Sequence, residues 1–156
     1  MSDKSKNVTS AEELRSMYKE PSVVAQEKVL TELDEHCQKM ISLSPFACLA
    51  TTAADGSLDI SPRGDPPGSI KVLNSSELLI ADRYGNNRLD TLTNLTLNPE
   101  IALIFLVPGM IETLRVSGHA EIISDEERLE TCVIDGKRPP TGILVHVHRA
   151  FLQCGK

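Results

Sequence analysis

Two short stretches of the chain combine cations, carboxylates and restricted backbone in a way that could hold an anion. The first, Ala81-Asp-Arg-Tyr-Gly-Asn-Asn-Arg88, runs from the end of a strand-like pattern into the first turn of a helical one. Free N–H groups at a helix start carry the positive end of the dipole and cradle phosphate, and Arg88 would add a charge-assisted, two-pronged contact. An arginine in a first helical turn is electrostatically unfavourable unless an anion is close. Asn86 and Asn87 have a competing use as N-cap or surface-turn residues. The second stretch is Ser61-Pro-Arg-Gly-Asp-Pro-Pro-Gly68. Its prolines restrict the chain while Gly64 and Gly68 permit close backbone approach, so Arg63 could be presented in a fixed geometry. An ordinary structural turn uses the same residue types, and both readings stay open.

Other reactive side chains form weaker patterns. His146 and His148 lie two apart on a strand pattern and so share a face, with His119 on another strand as a remote third metal ligand. Alternating in-and-out packing explains the pair better, since Ile143, Val145 and Val147 fill the opposite face and no Asp or Glu follows at ligand spacing. No metal site is expected. Cys48 and Cys132 have no base or thiolate-stabilising partner in the sequence, so both read as core residues. Glu12, Glu13, Asp125, Glu126 and Glu127 are first-turn carboxylates that favour helix starts.

The elements that must position these residues are mostly strands. Residues 1 to 8 are polar and expected to fray, after which Ser10-Ala-Glu-Glu13 has capping-box spacing and opens a short helix through about Glu20. A second helix is expected from Ser22 to about Ser42, where Val23, Leu30, Leu33, Cys37 and Met40 make one apolar stripe. The period then changes. Phe46–Thr52 and Leu58–Ile60 flank Ala54-Asp-Gly56, a hairpin signal, and further strands are expected at Ile70–Leu73, Glu77–Asp82, Ile101–Val107, Thr113–Ile123 and Gly142–Phe151. Helical patterns interrupt them at Arg88–Leu97 and at a second capping box, Ser124-Asp-Glu-Glu127. Gly136-Lys-Arg-Pro-Pro140 reads as a solvated loop. The fold class is mainly antiparallel β with peripheral helices (α+β), of a strand count that commonly closes into a barrel.

Composition narrows the function. The chain has 156 residues, enough for a single domain over 21–156 preceded by a polar segment and short helix over 1–20. A net charge of −6 argues against nucleic acid or an anionic membrane as partner. The longest apolar run, Ile101–Val107, has the length of a buried strand and not of a membrane span. Four scattered cysteines and a polar start, Met1-Ser-Asp-Lys-Ser-Lys, point to a reduced cytoplasm. The sequons at Asn7, Asn74 and Asn94 then carry no topological meaning.

Three ordered blocks, Ser61–Gly68, Asp82–Asp90 and Pro108-Gly-Met-Ile-Glu-Thr-Leu-Arg-Val-Ser-Gly118, resemble the pyridoxamine 5'-phosphate oxidase-related FMN-binding proteins of bacteria. The resemblance covers nearly the whole chain after about residue 20. It implies a split barrel, a homodimer with FMN in the groove between subunits, and an FMN-dependent oxidoreductase acting on an unknown small molecule. It implies that Arg63, Lys71 and Arg88 meet the flavin phosphate, that Asn86 and Asn87 lie near the ribityl chain or phosphate, and that Ile80, Ala81 and Asp82 line the ring edge. Thr113 and Arg115 would reach across from the partner. No side chain is assigned a catalytic role. With no Trp and 3% aromatic residues, the ring would pack on aliphatic groups and backbone. Pyridoxamine phosphate oxidase holds its substrate with a C-terminal segment, whereas this sequence ends at Phe151-Leu-Gln-Cys-Gly-Lys156, so that substrate is not expected. The alternatives are a non-catalytic carrier or sensor of flavin, haem or deazaflavin, and a purely structural dimerisation domain.

Overall fold

The computed structural model describes residues 7–155, so the expected fraying of residues 1 to 8 falls largely outside the described residues. Three helices come first: α1 (Ala11–Ser16), α2 (Val23–Glu27) and α3 (Glu35–Leu43). Strands β1 (Phe46–Thr52), β2 (Leu58–Gly64), β3 (Lys71–Asn74) and β4 (Glu77–Asp82) follow, then α4 (Asp90–Leu97), β5 (Glu100–Leu106), β6 (Glu112–Ile123), α5 (Glu126–Glu130) and β7 (Thr141–Cys154). All seven strands pair antiparallel in one sheet of order β2-β1-β5-β6-β7-β4-β3. This is the expected α+β class with the expected seven strands.

The inner face of the sheet supplies the core. Leu49, Leu78, Leu103, Phe105, Leu114, Val116, Ile143 and Val145 are buried there, and α3 covers them with Cys37, Met40 and Ile41. That i, i+3, i+4 spacing puts three side chains on one helix face. Full burial of each large aliphatic or aromatic group stabilises the fold by about 1.5–3 kcal/mol before entropy is subtracted. Burial also pushes the Cys37 thiol up to about 12, so it behaves as a small apolar group.

The single helix expected over Ser22–Ser42 is two helices, because the segment between them pairs with the sheet. Leu30 exchanges backbone hydrogen bonds with Ala150 at 2.8 and 2.9 Å, and Leu33 N–H donates to the Ser75 carbonyl at 2.7 Å. Asp34 then caps α3, its Oδ1 accepting from Cys37 N–H at 2.8 Å. That backbone hydrogen bond holds its carboxyl below the usual 3.8. Helix α1 is shorter than expected, although Ser10 does cap it by accepting from Glu13 N–H. The cap of α5 is Asp125, not Ser124. Strand β2 runs on through Ser61–Gly64, which the sequence suggested was already turn; as an edge strand with β1 alone for neighbour it tolerates Pro62.

A β-bulge shapes the long β6–β7 pair. Ser117 opposes Arg149 while Gly118 opposes Val147, which leaves His148 as an extra residue on β7. Gly118 permits the close approach: a Cβ there would lie 1.9 Å from the His146 carbonyl oxygen. The bulge breaks the simple alternation expected around the two histidines. His119 is not remote either, since it stands directly opposite His146, and both nitrogens of His146 face carboxylates the sequence did not bring near, Glu77 and Glu121, each at 3.3 Å.

Candidate cofactor site

An open cleft of about 430 Å³ lies between β2, the end of β4 and the start of α4. Along β2 the residues alternate, so Asp59, Ser61 and Arg63 are partly sheltered while Leu58, Ile60 and Pro62 point outward. From the other side come Asp82, Arg83 and the turn Gly85–Arg88, and the first residues of α4 complete the wall. The two sides touch where Arg63 Nη1 donates to Asp82 Oδ1 at 3.1 Å.

The backbone that enters α4 is unusual. Asn87 and Leu89 both adopt positive φ, +58° and +60°, and Asn86 Oδ1 accepts from Arg88 N–H at 3.1 Å. Asn enters the left-handed region readily, whereas a leucine there is a strained residue. Leu89 occupies the N-cap position and offers no side-chain hydrogen bond, so the helix start opens on the cleft uncapped. Arg88 is therefore two residues ahead of the helix and not in its first turn as the sequence suggested. Its Nε donates to Asp90 Oδ2 at 2.9 Å, an exposed pair that an entering anion could replace at little cost.

The cleft carries three arginines and three aspartates. Besides the pairs already given, Asp59 Oδ2 accepts from Thr91 Oγ1 at 3.1 Å, and Arg83 donates through Nε to Asp65 Oδ2 at 2.9 Å and through Nη1 to the Cys132 carbonyl at 3.0 Å. Two guanidinium nitrogens, Arg63 Nε and Arg83 Nη2, are buried with no hydrogen-bond partner. A buried donor without an acceptor is costly and uncommon in folded proteins, so both mark places where an acceptor is wanted.

Of the ten residues singled out in the sequence, the cleft brings together Arg63, Asp82, Asn86, Asn87 and Arg88. Ile80 and Ala81 stand behind it, buried, beside a small void that Arg63 also borders. Lys71 does not line the cleft; its Nζ donates to the Gly68 carbonyl at 3.0 Å, in a neighbouring recess that Arg83 shares. Thr113 and Arg115 are bound to Gln153, through its carbonyl and its Oε1, on the outer face of the sheet. Sequence reasoning missed Asp59, Arg83 and Leu89. Arg83 lay inside a quoted motif, and Asp59 had a signal in the polar positions alternating with Leu58 and Ile60.

A cross-strand row links the cleft rim to Arg115. Pro62 opposes Cys48, Cys48 opposes Ile104, Ile104 opposes Arg115, and Arg115 opposes Phe151. Leu58 and Ile60 are 85% and 72% exposed on the same outer face as Pro62, so an apolar strip begins at the cleft and ends at the arginine. No helix among the described residues is long and apolar enough to cross a membrane.

One antiparallel sheet, curled so that its β2 edge reaches β4 with a polar cleft at the contact, is the split-barrel architecture. The chain belongs to the pyridoxamine 5'-phosphate oxidase family, whose sequence profile matches residues 33–153. Members of that family generally bind flavin. The fold is shared with HupZ of Group A Streptococcus, at 20% identity over 78% of this chain and 94% of that one, with a TM-score of 0.64. It is shared with a pyridoxamine 5'-phosphate oxidase candidate of Lactobacillus delbrueckii, at 20% identity over 78% and 95% of the two chains and a TM-score of 0.63. An F420 reductase is similar at 16% identity over 74% and 94%, with a TM-score of 0.52. No curated protein is similar enough to this chain to match it.

Proposed function

We propose that this chain is an FMN-dependent oxidoreductase that binds FMN in the cleft between β2 and α4 and works as a homodimer. The observation that carries the reading is the meeting of Arg63, with its unpartnered buried Nε, and Arg88 at an uncapped helix start. A phosphate monoester supplies the acceptors that such a site lacks, and the helix dipole adds to the attraction. Asn86 and Asn87 on the intervening turn suit the ribityl chain, and the apolar positions Ile80 and Ala81 behind Arg63 suit the ring edge.

When bound, FMN would supply hydride and electron transfer at its ring; the protein's part is to bind, orient and shield it. Asp82 holds the Arg63 guanidinium in position before the cofactor arrives. The apolar strip running from Ile60 to Ile104, with Arg115 and Thr113 beyond it, supports a second copy packing on this face and bringing those two residues to the cleft of the first. Lys71 would add its charge from the neighbouring recess.

The visible absorption spectrum of the protein purified from bacteria tests the reading. Two flavin bands are expected, weaker in Arg88→Ala, and oxidation of NADH or NADPH by the yellow protein would separate an enzyme from a carrier or sensor. A protein that stays colourless after FMN is added contradicts the reading, and a spectrum acquired only with a deazaflavin would replace the cofactor while keeping the site.

A further inference from the structure

Away from the cleft, the outer face around β6 and β7 gathers three imidazoles and three carboxylates. Residues Glu100, His119, His146 and Glu77 form one cross-strand row over β5, β6, β7 and β4. The rings of His119 and His146 lie 5.2 Å apart, and those of His119 and His148 lie 4.7 Å apart. None of these residues lines the cleft. Alternation along β7 puts His148 on the same face as His146, and the bulge leaves it without a cross-strand partner on β6.

His146 is the informative member. Its Nδ1 faces Glu77 Oε1 and its Nε2 faces Glu121 Oε1, both at 3.3 Å. A neutral imidazole has one N–H and satisfies one of the two carboxylates; a second ring proton or a metal cation between Nε2 and Glu121 satisfies the other. The spacing fits two ligands on one metal as well as a direct ion pair. Nitrogen and oxygen ligands about 2.0–2.1 Å from a tetrahedral ion stand about 3.3 Å from each other, and the ring centres of two histidines on such an ion are about 5 Å apart. Glu77, on the other nitrogen, has the place of the carboxylate that fixes a metal-bound histidine in its tautomer.

We propose that His119, His146, His148 and Glu121 bind one divalent ion of the zinc class, with Glu77 as the positioning residue behind His146. Among the described residues no three such side chains stand in the arrangement of a metal site, so binding requires two of the rings to turn. His119 is part-exposed and His148 exposed, so both can turn about their side-chain bonds while the ladder stays fixed. The strand pattern, two histidines at i and i+2 with a third on the adjacent strand, supplies three donors from rigid backbone. The ion would tie β6 to β7 across the bulge, and its ligand set uses no residue that the flavin reading requires.

Titration of tag-free protein with Zn²⁺, and with Co²⁺ as an absorbing substitute, tests the site. One ion per chain is expected, with the intense visible bands of four-coordinate Co²⁺. His146→Ala and His148→Ala should abolish those bands, and Glu77→Gln should weaken binding by about 10- to 100-fold while keeping them. His148 stands exposed on the bulge, so its variant reports even if His146→Ala folds poorly. Absence of uptake by the folded wild-type protein overturns the proposal, as does unchanged binding in His148→Ala. The flavin spectrum is read in the same samples and should not change, so the two sites stand or fall separately.

Discussion

Arg63 on β2 and Asp82 on β4 are joined at 3.1 Å although four strands separate β2 from β4 in the sheet. The pair spans the split of the barrel, and both side chains are mostly sheltered. Removing Asp82 leaves a part-buried guanidinium without its acceptor. Asp82→Ala should therefore lower stability by about 1–3 kcal/mol in urea unfolding. Inorganic phosphate should recover more of the midpoint in this variant than in the wild type, because it then meets no competitor for Arg63.

Gly118 fixes the bulge. Any side chain there meets the His146 carbonyl, and the nearest atoms are all β7 backbone, with no flexible side chain to give way. Gly118→Ala is expected to cost at least about 1–3 kcal/mol, seen as a lower urea midpoint. Gly56 is a contrast, with open space around its Cβ position and only its positive φ at stake.

Asp34 links pH to the stability of α3. Its folded carboxyl lies below the ordinary value, so its contribution is present above the unfolded pKa of about 4 and fades as pH falls through the folded one. Asp34→Ala should cost about 1 kcal/mol at neutral pH, the usual loss for an N-cap. The difference from wild type should shrink in unfolding experiments run below pH of about 4.

The cysteines should differ sharply in reactivity. Cys154 is exposed, whereas Cys37 and Cys132 are buried. A disulfide reagent should label Cys154 fast in native protein, and Cys37 at the rate of unfolding. Rapid native labelling of Cys37 would contradict its burial under α3.

Leu58→Lys places a charge on the apolar strip without touching the core or the cleft lining. Sedimentation should give a dimer for the wild type and a monomer for the variant, with flavin content falling in step if Thr113 and Arg115 of a second copy complete the cleft.

Much of this fold is legible in the sequence, since strands with strong β composition and Gly- or Pro-bearing turns declare themselves locally. Phe46–Thr52 and Glu77–Asp82 have the expected bounds. What the sequence hides is tertiary. The pairing of Leu30 with Ala150 breaks a helix whose periodicity looks continuous, and the left-handed Leu89 delays α4 by two residues. The candidate site shows the same division. Arg63 and Arg88 stand out by type and position, but their aspartate partners come from a distant strand and from a different backbone path than the helical pattern suggests. His119 and His146 become neighbours only through the β6–β7 register.

Calorimetric titration of the apoprotein with FMN and with riboflavin, which differ in the phosphate alone, isolates what Arg63 and Arg88 contribute. FMN should bind the wild type far more tightly than riboflavin does, and Arg63→Ala and Arg88→Ala should each weaken FMN by about tenfold or more while leaving riboflavin nearly unchanged. Equal affinity for the two ligands, or an equal loss of both in each variant, would contradict a phosphate site at these two arginines.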